Sequence, residues 1–323
     1  MDIHGFRTLI ESEIKGLEIP KVPAELYEPV RYILSLGGKR LRPQLLLTAC
    51  HLAGGSEKDA IAPALGIEVF HNFTLLHDDI MDNAPLRRNQ PTVHEKWNTS
   101  IAILSGDVMY TLACSLMSQA PDHKLRKVLD VFFSNAAAVC EGQQLDMNFE
   151  TQTNVSQAEY LEMIRLKTAV LLGASLQIGA LCGGASEEDA QVLYQAGCNA
   201  GIAFQLQDDL LDVFGDPKAV GKRAGGDIVS NKKTILKIKA LEKADQQLRE
   251  QLSHWYSLSP DNPDEKIAEV RRIFSLLGLD KETEALADKY FASSTALIQG
   301  LSFVQNRKDI LTGLLNQLRT RTF

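Results

Sequence analysis

The stretch Phe70-His71-Asn72-Phe73-Thr74-Leu75-Leu76-His77-Asp78-Asp79-Ile80-Met81-Asp82 opens on an apolar helical pattern and closes on three carboxylates within five residues. Apolar residues three and four apart run back to Ala60, so the segment Ala60 to Leu76 predicts a helix. On such a helix Asp78 and Asp82 are four apart and share a face, while Asp79 lies about 100° round from Asp78. Like charges at that spacing repel, and the motif is costly unless cations neutralise it. The arrangement returns in Ala203-Phe204-Gln205-Leu206-Gln207-Asp208-Asp209-Leu210-Leu211-Asp212. A single cluster could be a solvated acidic turn; two of identical spacing, each set on an apolar helical run, argue for a metal. Oxygen ligands favour a hard ion, Mg²⁺, bridging to phosphates.

The helical period extends over most of the chain, for example Val128 to Gln143 and Ala190 to Phe204, and alternating strand-like runs are scarce. Serines with an acid three residues on (Ser56/Asp59, Ser156/Glu159, Ser186/Asp189) mark helix starts. Thr168 to Cys182 is apolar on nearly every side, which suits a central helix or one lining an apolar cavity. The Gly- and Pro-bearing breaks are short, with no repeat and no linker. The expectation is an all-α fold, one domain over residues 1–323 made of ten or more helices.

The chain has 323 residues, 45% hydrophobic and 23% charged, enough apolar residue for a large core. A net charge of −7 argues against a nucleic-acid partner, so anionic ligands must be met by local cations and metal. Five cysteines without a CxxC pair read as buried, reduced thiols. No basic region followed by an apolar run opens the chain, and no stretch reads as long and uncharged enough to cross a bilayer. A cytoplasmic protein is expected.

Four further segments carry chemistry or its semblance. Gly37-Gly38-Lys39-Arg40-Leu41-Arg42-Pro43 gathers three cations beside two glycines, fit for phosphate oxygens or for a charged capping loop. Leu86-Arg87-Arg88-Asn89 follows the first acidic motif, its arginines either salt-bridge partners or a diphosphate clamp. Lys167-Thr168 stands at the polar end of the apolar helix, where a lysine can simply snorkel. The basic loop Gly221-Lys222-Arg223-Ala224-Gly225-Gly226-Asp227 with Asn231-Lys232-Lys233 follows the second motif, as a phosphate cover or a surface turn.

Taken in order, these segments resemble the trans-polyprenyl diphosphate synthases, the farnesyl and geranylgeranyl diphosphate synthase type, specifically from Leu36 to Thr234 and more loosely to Phe323. The resemblance implies an isoprenoid-synthase fold around a central cavity, usually homodimeric. It implies three Mg²⁺ ions, with Asp78, Asp82 and Asp208 as principal ligands and Asp79, Asp209 and Asp212 ligating or holding metal-bound water. Lys39, Arg42, His71 and Arg88 match positions that bind isopentenyl diphosphate. Arg87, Lys167, Lys222 and Lys232 match those that hold the allylic diphosphate (dimethylallyl, geranyl or farnesyl). Thr168 and Gln205 match polar residues that face the developing allyl cation. Asn89 departs from the family's usual glycine, a change that asparagine's tolerance of left-handed backbone should absorb. The basic tail Leu318 to Phe323 stands where family members can close over the isopentenyl site.

In the family a bulky residue five before the first aspartate halts growth early. Phe73, with Thr74 one residue nearer, therefore predicts a C15 or C20 product. A class I terpene cyclase, or a non-catalytic subunit regulating a prenyl synthase, are the alternatives. The repeated aspartate motif disfavours the first and its completeness the second.

Overall fold

The computed structural model describes residues 3–215, 225–258 and 263–319. Helices dominate. In chain order they are α1 (Ile3–Gly16), α2 (Ala24–Ser35), α3 (Leu41–Ala53), α4 (Glu57–Met81), α5 (Val93–Lys96), α6 (Thr99–Met117), α7 (Leu125–Thr151) and α8 (Gln157–Ile164). There follow a π-helical turn (Arg165–Ala169), α9 (Val170–Cys182) and α10 (Glu187–Phe214). Beyond these come α11 (Gly226–Val229), α12 (Ile235–Lys243), α13 (Gln246–Ser257), α14 (Asp264–Leu276), α15 (Leu279–Gln299) and α16 (Gln305–Arg319). Among the described residues the one sheet is a small antiparallel pair, β1 (Leu86–Arg87) and β2 (Gln90–Pro91).

The anticipated helix starts are present. Ser56 and Asp59 form a capping box at α4, Ser156 and Glu159 another at α8, and the Ser186 hydroxyl accepts from the Asp189 amide at 3.0 Å.

The chain divides into two compact units. The first comprises Met1–Phe133, Ala174–Tyr194 and Leu301–Leu311. Its core is built on α4, packed against α3 and α6. From Ala60 to Phe70 α4 is buried on most sides; farther on only Asn72, Leu76 and Asp79 stay buried. The helix thus carries its apolar half in the core and delivers Phe73, Thr74 and Asp78 to a more open end. The second unit comprises Ser134–Gly173, Gln195–Gly300 and Thr312–Phe323. Its interior includes Tyr160, Leu206, Ile235 and Phe274, all at most 1% exposed.

Two expectations need correction. Two helical stretches do reach the length and apolarity of a membrane span, Thr99–Met117 and Gln157–Cys182. The second was hidden in the sequence because the apolar run read as starting at Thr168, whereas the helical path continues back through the π turn. Its most apolar window is 78% buried, as befits a core helix, whereas that of Thr99–Met117 is only 39% buried. The thiols also differ among themselves. Cys50, Cys182 and Cys198 are buried thiols, but Cys140 is exposed on α7 and Cys114 is half-buried.

Candidate active site

The first acidic motif ends α4. Asp82 is its C-cap, and the Asp82 amide still donates to the Asp78 carbonyl at 2.9 Å, so the four-residue spacing is helical. A helix C-terminus carries the negative end of the peptide dipole, and this last turn holds no basic residue. Three carboxylates there are doubly unfavourable without cations. Burial separates their roles: Asp79 is 2% exposed, Asp78 half-buried and Asp82 exposed. Asp79 points inward onto Arg87, whose Nε donates to Oδ2 at 2.7 Å while Nη2 lies 2.7 Å from Oδ1. Burial raises the Asp79 pKa, and the Arg87 hydrogen bond and charge oppose that rise.

The Arg87-Arg88 pair sits in a tight hairpin. Arg88 and Asn89 both have positive φ, 53° and 60°, as a two-residue turn between β1 and β2 requires. Asparagine is well suited to that conformation, which is the tolerance expected at position 89. The hairpin is pinned by Tyr32, whose hydroxyl donates to the Pro91 carbonyl at 2.7 Å, and by Thr92, whose hydroxyl donates to Ala84 O at 2.8 Å.

Arg88 reaches the Gly37-Gly38 loop, where its Nη1 donates to the Gly37 carbonyl. Gly38, at φ 138°, lies under the guanidinium, and a Cβ there would stand 2.8 Å from Nη2. Glycine suits that φ, and a Cβ there would push the guanidinium aside. Arg42 follows on α3 with Nη1 3.0 Å from His71 Nε2. Burial, then the Arg42, Arg88, Arg87 and Arg40 charges, holds the His71 pKa well below 6.5, so the ring is neutral and Nε2 accepts from Arg42. Burial also lowers Arg42 to about 10. Lys39 is exposed at the edge of this group. Of the three cations in the glycine-rich segment, Arg40 turns away. It is 2% exposed and bound to Glu68 at 2.7 Å and to the Leu34 carbonyl at 2.6 Å, a role that its neighbours' chemistry did not disclose.

Phe73 lies in an aromatic cluster on the same helix. Its ring centroid is 4.8 Å from His77, 5.5 Å from Phe70 and 5.5 Å from Tyr110. The Thr74 hydroxyl is turned back to the His71 carbonyl at 2.8 Å.

In the second unit the burial pattern of the first motif repeats along α10: Asp208 and Asp212 are half-buried and Asp209 is 3% exposed. Asp209 Oδ2 accepts from the Tyr160 hydroxyl and, at 3.3 Å, from the Ile235 amide. Burial, then the Asp227 charge, pushes Asp209 up to about 7. Asp212 Oδ2 accepts from the Asp227 amide at 2.9 Å.

Lys167 and Thr168 lie in the π turn. One side of the turn packs on α7 at Gly142, where a Cβ would collide with the Lys167 backbone nitrogen. Lys167 Nζ is 2.6 Å from Asp146 on α7, and Thr168 Oγ1 is 3.4 Å from Gln205 Oε1. Lys232 lies just past α11, its amide donating to the Asp227 carbonyl at 2.9 Å. Lys222 and the tail residues beyond Arg319 lie outside the described residues. Arg319 itself pairs with Asp288 at 2.9 Å.

Two acids escaped the sequence reading. Asp146 is tied to Lys167. Asp227 feels Asp212, Asp146 and Asp208 and is pushed up to about 6, chiefly by burial. The Gly225-Gly226-Asp227 stretch was legible as a loop, but nothing in the spacing joined its acid to the motif fifteen residues earlier.

Magnesium suits this donor set. Among the described residues no group of three or more His, Cys, Asp or Glu side chains is gathered tightly enough to cage an ion. Mg²⁺ normally keeps several waters and takes only one or two carboxylates plus substrate phosphates, so an open pair of aspartates at a negative helix end fits it.

The polyprenyl synthetase family model matches residues 23–276. The chain is 44% identical over 223 residues to a geranylgeranyl diphosphate synthase of Methanosarcina mazei, covering 68% of this chain and 69% of that one. A crystal structure of a geranylgeranyl pyrophosphate synthase, 43% identical, superposes with a TM-score of 0.95 over 100% of both chains. Another, from Corynebacterium glutamicum and complexed with isoprenyl diphosphate and magnesium, is 27% identical, with a TM-score of 0.88 over 99% of this chain and 100% of that one. The helical order, the paired aspartate motifs and these likenesses agree: this chain belongs to the polyprenyl synthetase family.

Proposed function

We propose that this short-chain trans-prenyltransferase condenses isopentenyl diphosphate head to tail with allylic diphosphates and releases a C15–C20 polyprenyl diphosphate. The grouping of Arg88 on the Gly37-Gly38 loop with Arg42 on a neutral His71 carries the reading. It makes a compact cationic site with donors to spare for a diphosphate, close in the fold to an acidic helix end. Lys39 completes that site and orients isopentenyl diphosphate for attack.

Asp78 and Asp82 at the end of α4, and Asp208 and Asp212 on α10, would each serve as magnesium ligands, three ions being what the family resemblance implies, with Asp79 and Asp209 bracing the two motifs from within. Magnesium supplies Lewis acidity and charge neutralisation to the leaving diphosphate. Lys167, Lys222 and Lys232 add fixed positive charge where negative charge grows, as does the Nη1 edge of Arg87. Thr168 and Gln205 present oxygen dipoles to the allylic carbons, and the apolar surroundings exclude water. Proton loss to the departing diphosphate completes one extension. Phe73, backed by Phe70 and Tyr110, limits product length.

A homodimer accounts for α6, an apolar helix that leaves Ile103 45% and Leu104 56% exposed. The setting is soluble and cytoplasmic. Neither the cyclase nor the regulatory subunit is favoured. Purified protein incubated with Mg²⁺, radiolabelled isopentenyl diphosphate and each allylic primer should give elongated C15–C20 products that EDTA abolishes. Cyclic hydrocarbons, or no turnover with any primer, would refute the assignment.

A further inference from the structure

We infer that Lys266, on α14, is a positioning residue that sets Lys232 for the allylic diphosphate by clamping Asn231 together with Lys237; this rests on the reading of Lys232 proposed above. Asn231 immediately precedes Lys232 and is left-handed, with φ 59°. Both of its oxygens are taken by buried ammonium groups. Lys266 Nζ donates to the side-chain Oδ1 at 2.7 Å, and Lys237 Nζ donates to the main-chain carbonyl at 2.9 Å. Lys266 is 1% exposed and Lys237 9%.

Among the described residues, the other hydrogen-bond and ring contacts of the two ammonium groups are neutral. Lys266 also donates to the Leu258 carbonyl at 3.0 Å, and Lys237 stands 3.8 Å over the Tyr256 ring. A buried ammonium is costly, and two converging on one residue repel. Such groups are found where function demands them. What they secure here is one backbone conformation. Asparagine tolerates the left-handed region and offers a side-chain acceptor, and an ammonium offers donors only. The clamp therefore fixes both the peptide that leads into Lys232 and the orientation of the amide. On the other side of Asn231 the Lys232 amide is held by Asp227, and the next lysine, Lys233, donates to the Phe149 and Glu150 carbonyls at the end of α7. α14 also packs against α11, so one helix backs the whole turn.

The test compares Lys266→Met, Lys266→Arg, Asn231→Ala and Lys232→Ala, with the Lys266→Met/Asn231→Ala double variant, by steady-state kinetics on each substrate and by thermal unfolding. Lys266→Met should raise KM for the allylic diphosphate about 10-fold, the scale of loss when a supporting residue is removed. KM for isopentenyl diphosphate should not change, and Tm should hold or rise because a buried charge is gone. Lys266→Arg should recover part of the loss, and the double variant should be no worse than the poorer single one. Asn231→Ala keeps both lysines and reads the same clamp if Lys266→Met does not fold. An unchanged allylic KM in Lys266→Met and Asn231→Ala, beside a raised one in Lys232→Ala, overturns the inference and leaves the role of Lys232 standing. An unchanged allylic KM in Lys232→Ala overturns both. Equal losses for both substrates with a lowered Tm would reduce Lys266 to a structural residue.

Discussion

Arg42 and His71 meet across 3.0 Å, guanidinium to ring nitrogen, and burial, reinforced by the Arg42 charge, keeps His71 neutral. The folded pKa lies well below 6.5 while the unfolded chain titrates near that value, so between the two the unfolded state binds more protons. The His71 contribution to stability is therefore complete above about pH 6.5 and is lost as pH falls below it. Thermal unfolding from pH 7.5 to 5 should show a steeper decline in the wild type than in His71→Asn. Equal slopes would mean that the histidine carries a proton in the fold.

The Asp79–Arg87 pair predicts a division between stability and catalysis. Arg87→Ala leaves a buried carboxylate without its cation and should cost about 3 kcal/mol of stability. Asp82→Asn touches an exposed carboxylate that repels its neighbours, so without metal the variant should be as stable as the wild type or slightly more so. Its activity should nevertheless fall by more than about 100-fold. Denaturant titration beside a product assay checks both, and an active Asp82→Asn enzyme would remove this residue from the metal site.

Asp209 supplies a pH signature of opposite sign. Its folded pKa of about 7 exceeds its ordinary 3.8, so within that range the native state binds more protons and stability falls as pH rises. Metal-free Asp209→Asn should lack this decline and overtake the wild type above about pH 7. Tyr160→Phe withdraws the hydroxyl donor and should lower stability by about 1–3 kcal/mol, more at pH 8 than at pH 5. Urea midpoints across the pH range measure both.

Product length should follow the Phe73 cluster. Phe73→Ala removes the ring that touches Phe70, His77 and Tyr110, opening space along α4. Radiolabelled products should then shift beyond C20, and an unchanged distribution would place the limit elsewhere. Tyr110→Ala, one shell farther out, should give a smaller shift.

The helices were legible because apolar periodicity and local caps are written in consecutive residues. Ser56, Ser156 and Ser186 start helices for reasons contained within four positions. Residues that act through distant partners were not legible. Arg40 looked like one of three phosphate-seeking cations, yet its partner Glu68 lies 28 residues away on another helix. Asp146 acquires meaning only from Lys167, 21 residues on, and Asp227 only from the α10 aspartates. Charge type alone could not separate Asp79 and Asp209, which turn inward, from the more open aspartates beside them; burial did. Roles for Lys39, His71, Thr168 and Gln205 came from resemblance, since their spacing is ordinary for helices.

The π turn at Arg165–Ala169 amounts to a one-residue surplus in an otherwise continuous helical path. Removing any one of its five residues would let an α-helix form without interruption. Yet it would rotate everything on one side by about 100° relative to the other. Lys167 and Thr168 could then no longer keep both Asp146 and Gln205. The enzyme should survive such a deletion as a folded protein and fail as a catalyst, which makes this turn a place where lineages of the fold could gain or lose chemistry by a single codon.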